Sequence, residues 1–250
     1  MRIIISPAKK MLVDTDSLDI FGLPDFLEQS EQILSVLQSM SDRQLQTLWK
    51  CNDKIAAENI ERIRAMDLRR SLTPAILSYD GIQYQYMAPA VFEDGQFDFL
   101  QQHLRILSGF YGILRPFDGV VPYRLEMQAK LSVCSSRDLY GFWGDRLAHH
   151  LAAETDWLLN LASKEYSRSV LPYLPPSVQV VTCTFGEEQN GKVVEKGTLC
   201  KMARGRMVRW IAEQHITSPQ SLCQFQEDGY RFSPQHSDTQ HLVFLKGGNE

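Results

Sequence analysis

Two hydrophobic periods alternate along this chain. Arg2-Ile-Ile-Ile-Ser6 is a short β-branched run stopped by Pro7, the pattern of a strand buried on both faces. From Asp25 the period becomes helical. Asp25-Phe-Leu-Glu28 resembles a capping box after Pro24, and Phe26, Leu27, Ile33, Leu34 and Leu37 form one stripe as far as Met40. Further helices are predicted from Ser41 to Lys50, from Asn52 to Met66, and from the Thr73-Pro74 start to Tyr79. Phe97, Phe99, Leu100, His103, Leu104 and Leu107 then share one helical side. Tyr123 to Leu131 alternates as a strand does, and Ser135-x-x-Asp138 caps a helix reaching Glu154 with Tyr140, Trp143, Leu147 and Leu151 on its apolar side.

The last third predicts a strand from Trp157 to Leu161 and a hairpin of Val178–Phe185 with Lys192–Lys196, turned at Asn190-Gly191. A helix from Leu199 to His215 and strands at Tyr230–Phe232 and Leu242–Leu245 complete it. No repeat or linker divides the chain. The expectation is one mixed α/β domain over residues 1–250, with a mixed β-sheet core surrounded by helices.

Within that pattern Gly109-Phe-Tyr-Gly112 reads as the turn between two helical pieces, a helix-hairpin-helix-like element near residues 97–116. Free amides at such a turn can face a phosphate, and Arg105, Arg115 and Arg124 surround it against Asp118 and Glu126. Ordinary turn chemistry explains the two glycines equally well. Lys9, just past the first strand, stands where ligands collect in open α/β sheets. On the 199–215 helix, Leu199, Ala203, Met207, Trp210 and Gln214 are expected to face the core. Gly205 and Ala212 lie between Lys201, Arg204 and Arg209, where a phosphate backbone could approach closely. Tyr84, Tyr86 and Met87 read as packing residues, with base stacking the less common alternative.

Charge refines this picture. The net charge of −4 excludes a dispersed, histone-like binder, so any nucleic-acid contact requires basic residues gathered on one face. Lys192 to Arg209 holds six basic residues and one acid, Glu195. No apolar run suits a membrane span or a signal peptide, which makes the cytoplasm the default expectation. Five widely spaced cysteines (Cys51, Cys134, Cys183, Cys200, Cys223) form no C-x-x-C pair. His150 and Glu154 are four apart on a helix but give too few ligands for a metal, and no phosphate-loop, dinucleotide or nucleophile-elbow motif occurs. No cofactor and no metal are expected. Lys9, Asp53, Arg115, Asp118, Arg124, Glu126, Asp145, Asn160, Ser163 and Glu165 remain as polar loop residues that could form an acid/base site or structural ion pairs.

Ser6-Pro-Ala-Lys9, Asp53-Lys54, the block Leu104 to Pro116, Pro122-Tyr-Arg-Leu-Glu-Met127, Trp143-Gly-Asp145, Asn160-Leu-Ala-Ser163 and Ala203-Arg-Gly205 together resemble the YaaA family of peroxide stress proteins over essentially the full length. The chain departs from the family pattern at Lys10, Tyr86 and Arg206, where the family usually has threonine at the first and commonly glycine at the second. The resemblance implies a cytoplasmic protein that limits iron-dependent oxidative damage and binds DNA through a helix-hairpin-helix and a basic cleft. It carries the basic pattern onto Lys9, Lys54, Arg105, Arg115, Arg124, Lys201 and Arg204, and the hairpin onto Gly109 and Gly112. The expectation is therefore a DNA-backbone binder with little sequence preference. The alternative is an enzyme acting on a nucleotide or nucleic acid in the same cleft, with Asp118, Glu126 or Asp145 as acid or base.

Overall fold

A computed structural model describes residues 1–247. In chain order, β1 (Arg2–Ile5) and β2 (Lys10–Met11) precede helices α1 (Leu27–Ser39), α2 (Asp42–Trp49) and α3 (Asp53–Ala65). Then come β3 (Thr73–Pro74), α4 (Ala75–Ser78), β4 (Tyr79–Asp80), α5 (Ile82–Met87) and α6 (Asp94–His103). The middle of the chain forms β5 (Leu104–Ser108), β6 (Gly112–Leu114), β7 (Gly119–Val120), α7 (Leu139–Trp143), α8 (Arg146–Glu154), β8 (Trp157–Asn160) and α9 (Lys164–Ser167). The end holds β9 (Gln179–Gln189), β10 (Lys192–Val194), α10 (Gly197–Gln214), β11 (Tyr230–Phe232) and β12 (His241–Lys246).

The main sheet is mixed, in the order β11-β12-β9-β8-β1-β5-β6, with β10 hairpinned onto β9. Ile3, Ile4 and Ile5 are wholly buried because β1 sits inside the sheet, parallel to both β5 and β8. From β1 the chain crosses to β5 on one side, whereas from β8 it crosses to β9 on the other. The gap between β1 and β8 is thus a topological switch point, the place where an open parallel sheet leaves a crevice beyond its carboxyl ends.

The central block departs from the expected helix-hairpin-helix. Leu104–Ser108 is a strand, buried at every residue, pairing in parallel with β1 (Ile3 with Leu104) and antiparallel with β6 (Ser108 with Gly112). Helix α6 stops at His103, so Leu104 and Leu107 belong to a two-sided buried strand rather than to a helical stripe. Gly109 to Gly112 is the turn of this β-hairpin, with Gly112 at φ +73°. The Ser108 hydroxyl accepts the amides of Phe110 (3.1 Å) and Tyr111 (2.8 Å), donors that the helix-hairpin-helix reading assigned to a phosphate.

Other expectations shift for similar reasons. Gly144, at φ +52°, ends α7 and splits the long helix to Glu154 in two. Tyr123 to Leu131 pairs with no strand, yet its alternation is real. Tyr123, Leu125, Met127, Ala129 and Leu131 are buried, while Arg124, Glu126, Gln128 and Lys130 face outward. Helix α10 is covered on more than one side, against α5, α6 and β9. Gly205 and Ala212 are therefore buried, and Gln214 is exposed. A Cβ on Gly205 would lie 2.1 Å from the Gln83 carbonyl oxygen, so the small residue admits α5 rather than DNA. At the same contact, the Arg206 guanidinium stacks 5.4 Å from the Tyr86 ring and its Nε lies 3.2 Å from Asp228. Two departures from the family pattern thus form one cation–π pair.

Candidate phosphate-binding cleft

Two connected cavities open on one side of the molecule. The larger, about 1000 Å³, runs between α2 and the outward face of the 124–130 segment, and ends at Tyr140 and Arg168. The smaller, about 390 Å³, lies at the switch point. Ser6 to Lys10 beyond β1, Asp80 to Tyr84, Tyr123 to Glu126, Ser163, Glu165 and Tyr166 beyond β8, and Lys201 and Arg204 of α10 enclose it. Lys9, Arg124 and Glu126 line both, so the two cavities form one cleft.

Local chemistry fixes these walls. Where β1 and β8 end side by side, Ser6 Oγ accepts the Ser163 amide (2.9 Å) and bonds Ser163 Oγ (3.2 Å). Tyr84 donates to the Ser6 carbonyl at 3.0 Å, and Tyr123 bonds Ser108 (2.6 Å) and Tyr79 (2.9 Å), which anchors the extended segment carrying Arg124. Lys9 Nζ sits 2.6 Å from Glu126 Oε1. Burial works to raise the Glu126 pKa, but the Lys9 ammonium and the Gln128 amide outweigh it and hold the carboxyl below its ordinary range. Glu165 moves the other way. Burial, reinforced by the charge of Glu126, pushes it up against the opposing bond from the Gln128 amide (3.2 Å).

Nine lysines and arginines line the cleft (Lys9, Lys10, Arg43, Lys50, Arg124, Lys130, Arg168, Lys201, Arg204), against three carboxylates (Asp80, Glu126, Glu165). This concentration occurs in a chain whose net charge is −4. Lys10 pairs with Asp80 at 2.5 Å, and Lys130 and Arg204 have distant partners at 3.6 and 3.8 Å. Arg43, Lys50, Arg124, Arg168 and Lys201 have no acidic partner within 4.0 Å among the described residues.

The sequence-derived candidates divide accordingly. Lys9, Arg124, Lys201 and Arg204 converge on the cleft. Lys54 is exposed on α3 and lines neither cavity. Arg115 also lies outside them, with its guanidinium 2.5 Å from Asp25. Arg105 is only 3% exposed, and Glu154 grips it at 2.9 and 3.1 Å, so it is a structural cation and not a surface contact. Gly109 and Gly112 are buried, packed on the 125–127 backbone and on Trp143. Arg43, Lys50, Lys130 and Arg168 were missed. The outward alternation after Tyr123 could have signalled Lys130, whereas the others reach the cleft only through tertiary packing.

The expected acids also separate. Burial lifts Asp118 to a pKa of about 7, against the Arg115 amide and the Arg115 charge, which hold it down. That value would suit a general acid, but the residue is 3% exposed and lines neither cavity. Asp145 is a surface residue 3.6 Å from His149. Only Glu126 stands in the cleft.

The sequence pattern of the family described as "Peroxide stress protein YaaA" matches residues 1–236. The chain belongs to that family. It is similar to UPF0246 proteins along almost the whole of both chains. It is 52% identical over 247 residues to the one from Lachnoclostridium phytofermentans, covering 99% of this chain and 97% of the relative. It is 52% identical over 246 residues to that of Desulfitobacterium hafniense (98% of each), and 48% identical over 245 residues to that of Lactiplantibacillus plantarum (98% of this chain, 99% of the relative). These relatives' names state no activity. Among the described residues no helix is long and apolar enough to cross a membrane, and no three His, Cys, Asp or Glu side chains are grouped as metal ligands.

Proposed function

We propose that the cleft binds the phosphate backbone of DNA with little preference for base sequence, in the cytoplasmic setting of a peroxide-stress protein. The observation that carries this reading is the row of cations without acidic partners: Arg43, Lys50, Arg124, Arg168 and Lys201. A protein normally pairs surface lysines and arginines or spreads them out. A cleft that gathers nine cations against three carboxylates has a self-repulsive field that a polyanion relieves, with release of the polyanion's counterions. The larger cavity lies between α2 and the 124–130 segment and is open to solvent, as backbone contact requires. Any limiting of iron-dependent damage then acts through the DNA that the cleft occupies.

Fluorescence anisotropy with a duplex oligonucleotide across a salt series tests the proposal. Affinity is expected to fall linearly on a log–log plot, and Arg124→Ala and Arg168→Ala each to reduce the slope by about 0.9. No binding at low salt, or slopes unchanged in both variants, would overturn it.

A further inference from the structure

The smaller cavity differs in kind from the open trench. Five buried side-chain nitrogens lack a hydrogen-bond partner among the described residues, and three of them belong to residues of this pocket: Gln83 Nε2, Arg124 Nε and Arg204 Nε. A fourth, Trp49 Nε1, belongs to the adjoining trench. All four are donors only, and a buried donor left unpaired costs roughly 1–3 kcal/mol. The three gathered at the smaller pocket indicate a ligand rich in acceptors.

A bare inorganic anion does not match the rest of the lining. Glu126 and Glu165 stand in the same pocket, with their carboxyl oxygens as acceptors, and repel a simple anion. Ile82, Tyr84, Leu125 and Tyr166 add an apolar wall. A volume of about 390 Å³ falls in the range of roughly 300–1000 Å³ typical of pockets for organic ligands. The pocket also occupies the switch-point crevice, where open parallel sheets hold ligands. The fitting ligand thus carries a phosphate for the cations, a flat apolar body, and N–H groups for the carboxylates.

We propose that this pocket binds a single nucleotide unit, with its phosphate at Arg124, Lys201 and Arg204 and its base edge toward Glu126 and Glu165. The unit is either a free nucleoside monophosphate or one nucleotide extruded from a strand lying in the trench, since Lys9, Arg124 and Glu126 border both spaces. Only the second source rests on the backbone reading above.

The test uses the full chain and an Arg204→Met variant, with Glu165→Gln as a second probe and near-UV circular dichroism to confirm folding. Calorimetry measures AMP, GMP, CMP and TMP against inorganic phosphate. In a parallel arm, a duplex with 2-aminopurine opposite a mismatch reports extrusion by its rise in emission. The proposal expects at least one nucleotide signal: binding of a monophosphate more tightly than phosphate, or an emission rise on duplex binding. That signal should weaken about tenfold to a hundredfold in Arg204→Met, the loss of a charge-assisted hydrogen bond. A signal only in calorimetry identifies the free nucleotide as the source, and one only in emission identifies the strand. Phosphate binding as tightly as every nucleotide with no emission rise overturns the proposal, as does the absence of both signals. It is equally overturned if folded Arg204→Met and Glu165→Gln both keep the full signal. Duplex anisotropy retained beside a failed pocket leaves the backbone reading intact, and a nucleotide signal without duplex binding does the reverse.

Discussion

Asp118 offers a sharp test of how buried charge acts in this fold. Its carboxyl is 3% exposed, and one of its oxygens accepts the Arg115 amide at 2.8 Å. Burial lifts its pKa from 3.8 to about 7, while Arg115 and Arg105 pull it down and Asp25 pushes it up. The folded state therefore holds a proton that the unfolded chain releases near pH 4. Between those two values the native state binds more protons than the unfolded one, so stability falls as pH rises, by about 1.4 kcal/mol per unit. The contribution is fully present below pH 3.8 and is lost as pH passes through about 7. Over the whole window the loss is at most about 4 kcal/mol.

Asp118→Asn removes the titration while keeping an acceptor for the Arg115 amide, with its NH₂ standing where the protonated acid has its O–H. Urea unfolding of both proteins from pH 4 to pH 8 gives the difference in stability, in which every other titrating group cancels. The variant should match the wild type at pH 4 and gain roughly 2–4 kcal/mol on it by pH 8. A difference that stays flat across the range would refute the account. DNA affinity should not change, because Asp118 lines neither cavity; a loss of binding would return it to the site.

Gly205→Ala should destabilise by about 3 kcal/mol or more, the upper end for overpacking, because the new methyl would meet the Gln83 carbonyl at 2.1 Å and the Met87 amide nitrogen at 2.9 Å, neither of which a rotamer change can move. Urea midpoints check this, and an alanine variant as stable as the parent would contradict it. Glu154→Ala leaves Arg105 buried without its counter-charge, with only the Gln101 and Leu104 carbonyls as acceptors, and should cost about 3–5 kcal/mol at neutral pH. The Arg105 and Arg2 guanidiniums and His150 overcome burial to hold the Glu154 carboxyl far below its usual range, so the wild type keeps this contribution above the ordinary carboxylate pKa and loses it in acid. Denaturation at pH 7 and pH 3 separates the two proteins, and an equal acid sensitivity would count against the pair. Lys130→Ala should flatten the salt slope of DNA binding by about 0.9 while Lys54→Ala leaves it unchanged, since only Lys130 lines the cleft; anisotropy slopes that move together would refute the boundary drawn for the cleft.

The sequence made the elements with strong periods legible: the isoleucine strand, the helices from Leu27 to Ala65, the Asn190-Gly191 hairpin and the long basic helix all form where their patterns place them, although the first helix has Phe26 as its N-cap residue, without the capping box expected at Asp25. The central hairpin is hidden in the sequence because Leu104 and Leu107 continue the helical spacing of Phe97 and Leu100, and only the neighbouring β1 decides between a buried strand and a helix end. Arg105 and Arg204 looked alike as basic residues in family motifs. What separates them is Glu154, forty-nine residues beyond Arg105 in the chain, which meets it only after folding. Glycines carry the same ambiguity. Gly205 needs close approach, but its sequence does not say whether the approaching backbone is a nucleic acid or α5.

The segment from Tyr123 to Val133 shows why the cleft keeps its charge. Its buried residues hold the backbone in place on alternate positions, and Tyr123 is bonded at both Ser108 and Tyr79. Arg124 therefore cannot move off to find an acid elsewhere, and Lys130 is held at the other end of the same face. A flexible loop with this composition would fold its cations onto nearby carboxylates and lose most of its field to internal pairs. An extended segment anchored every second residue cannot do so, and its cations meet a phosphate without first paying the entropy of ordering a loop. The placement of this charge is thus a property of the core. A substitution at Met127, which lines neither cavity, should loosen binding along with packing.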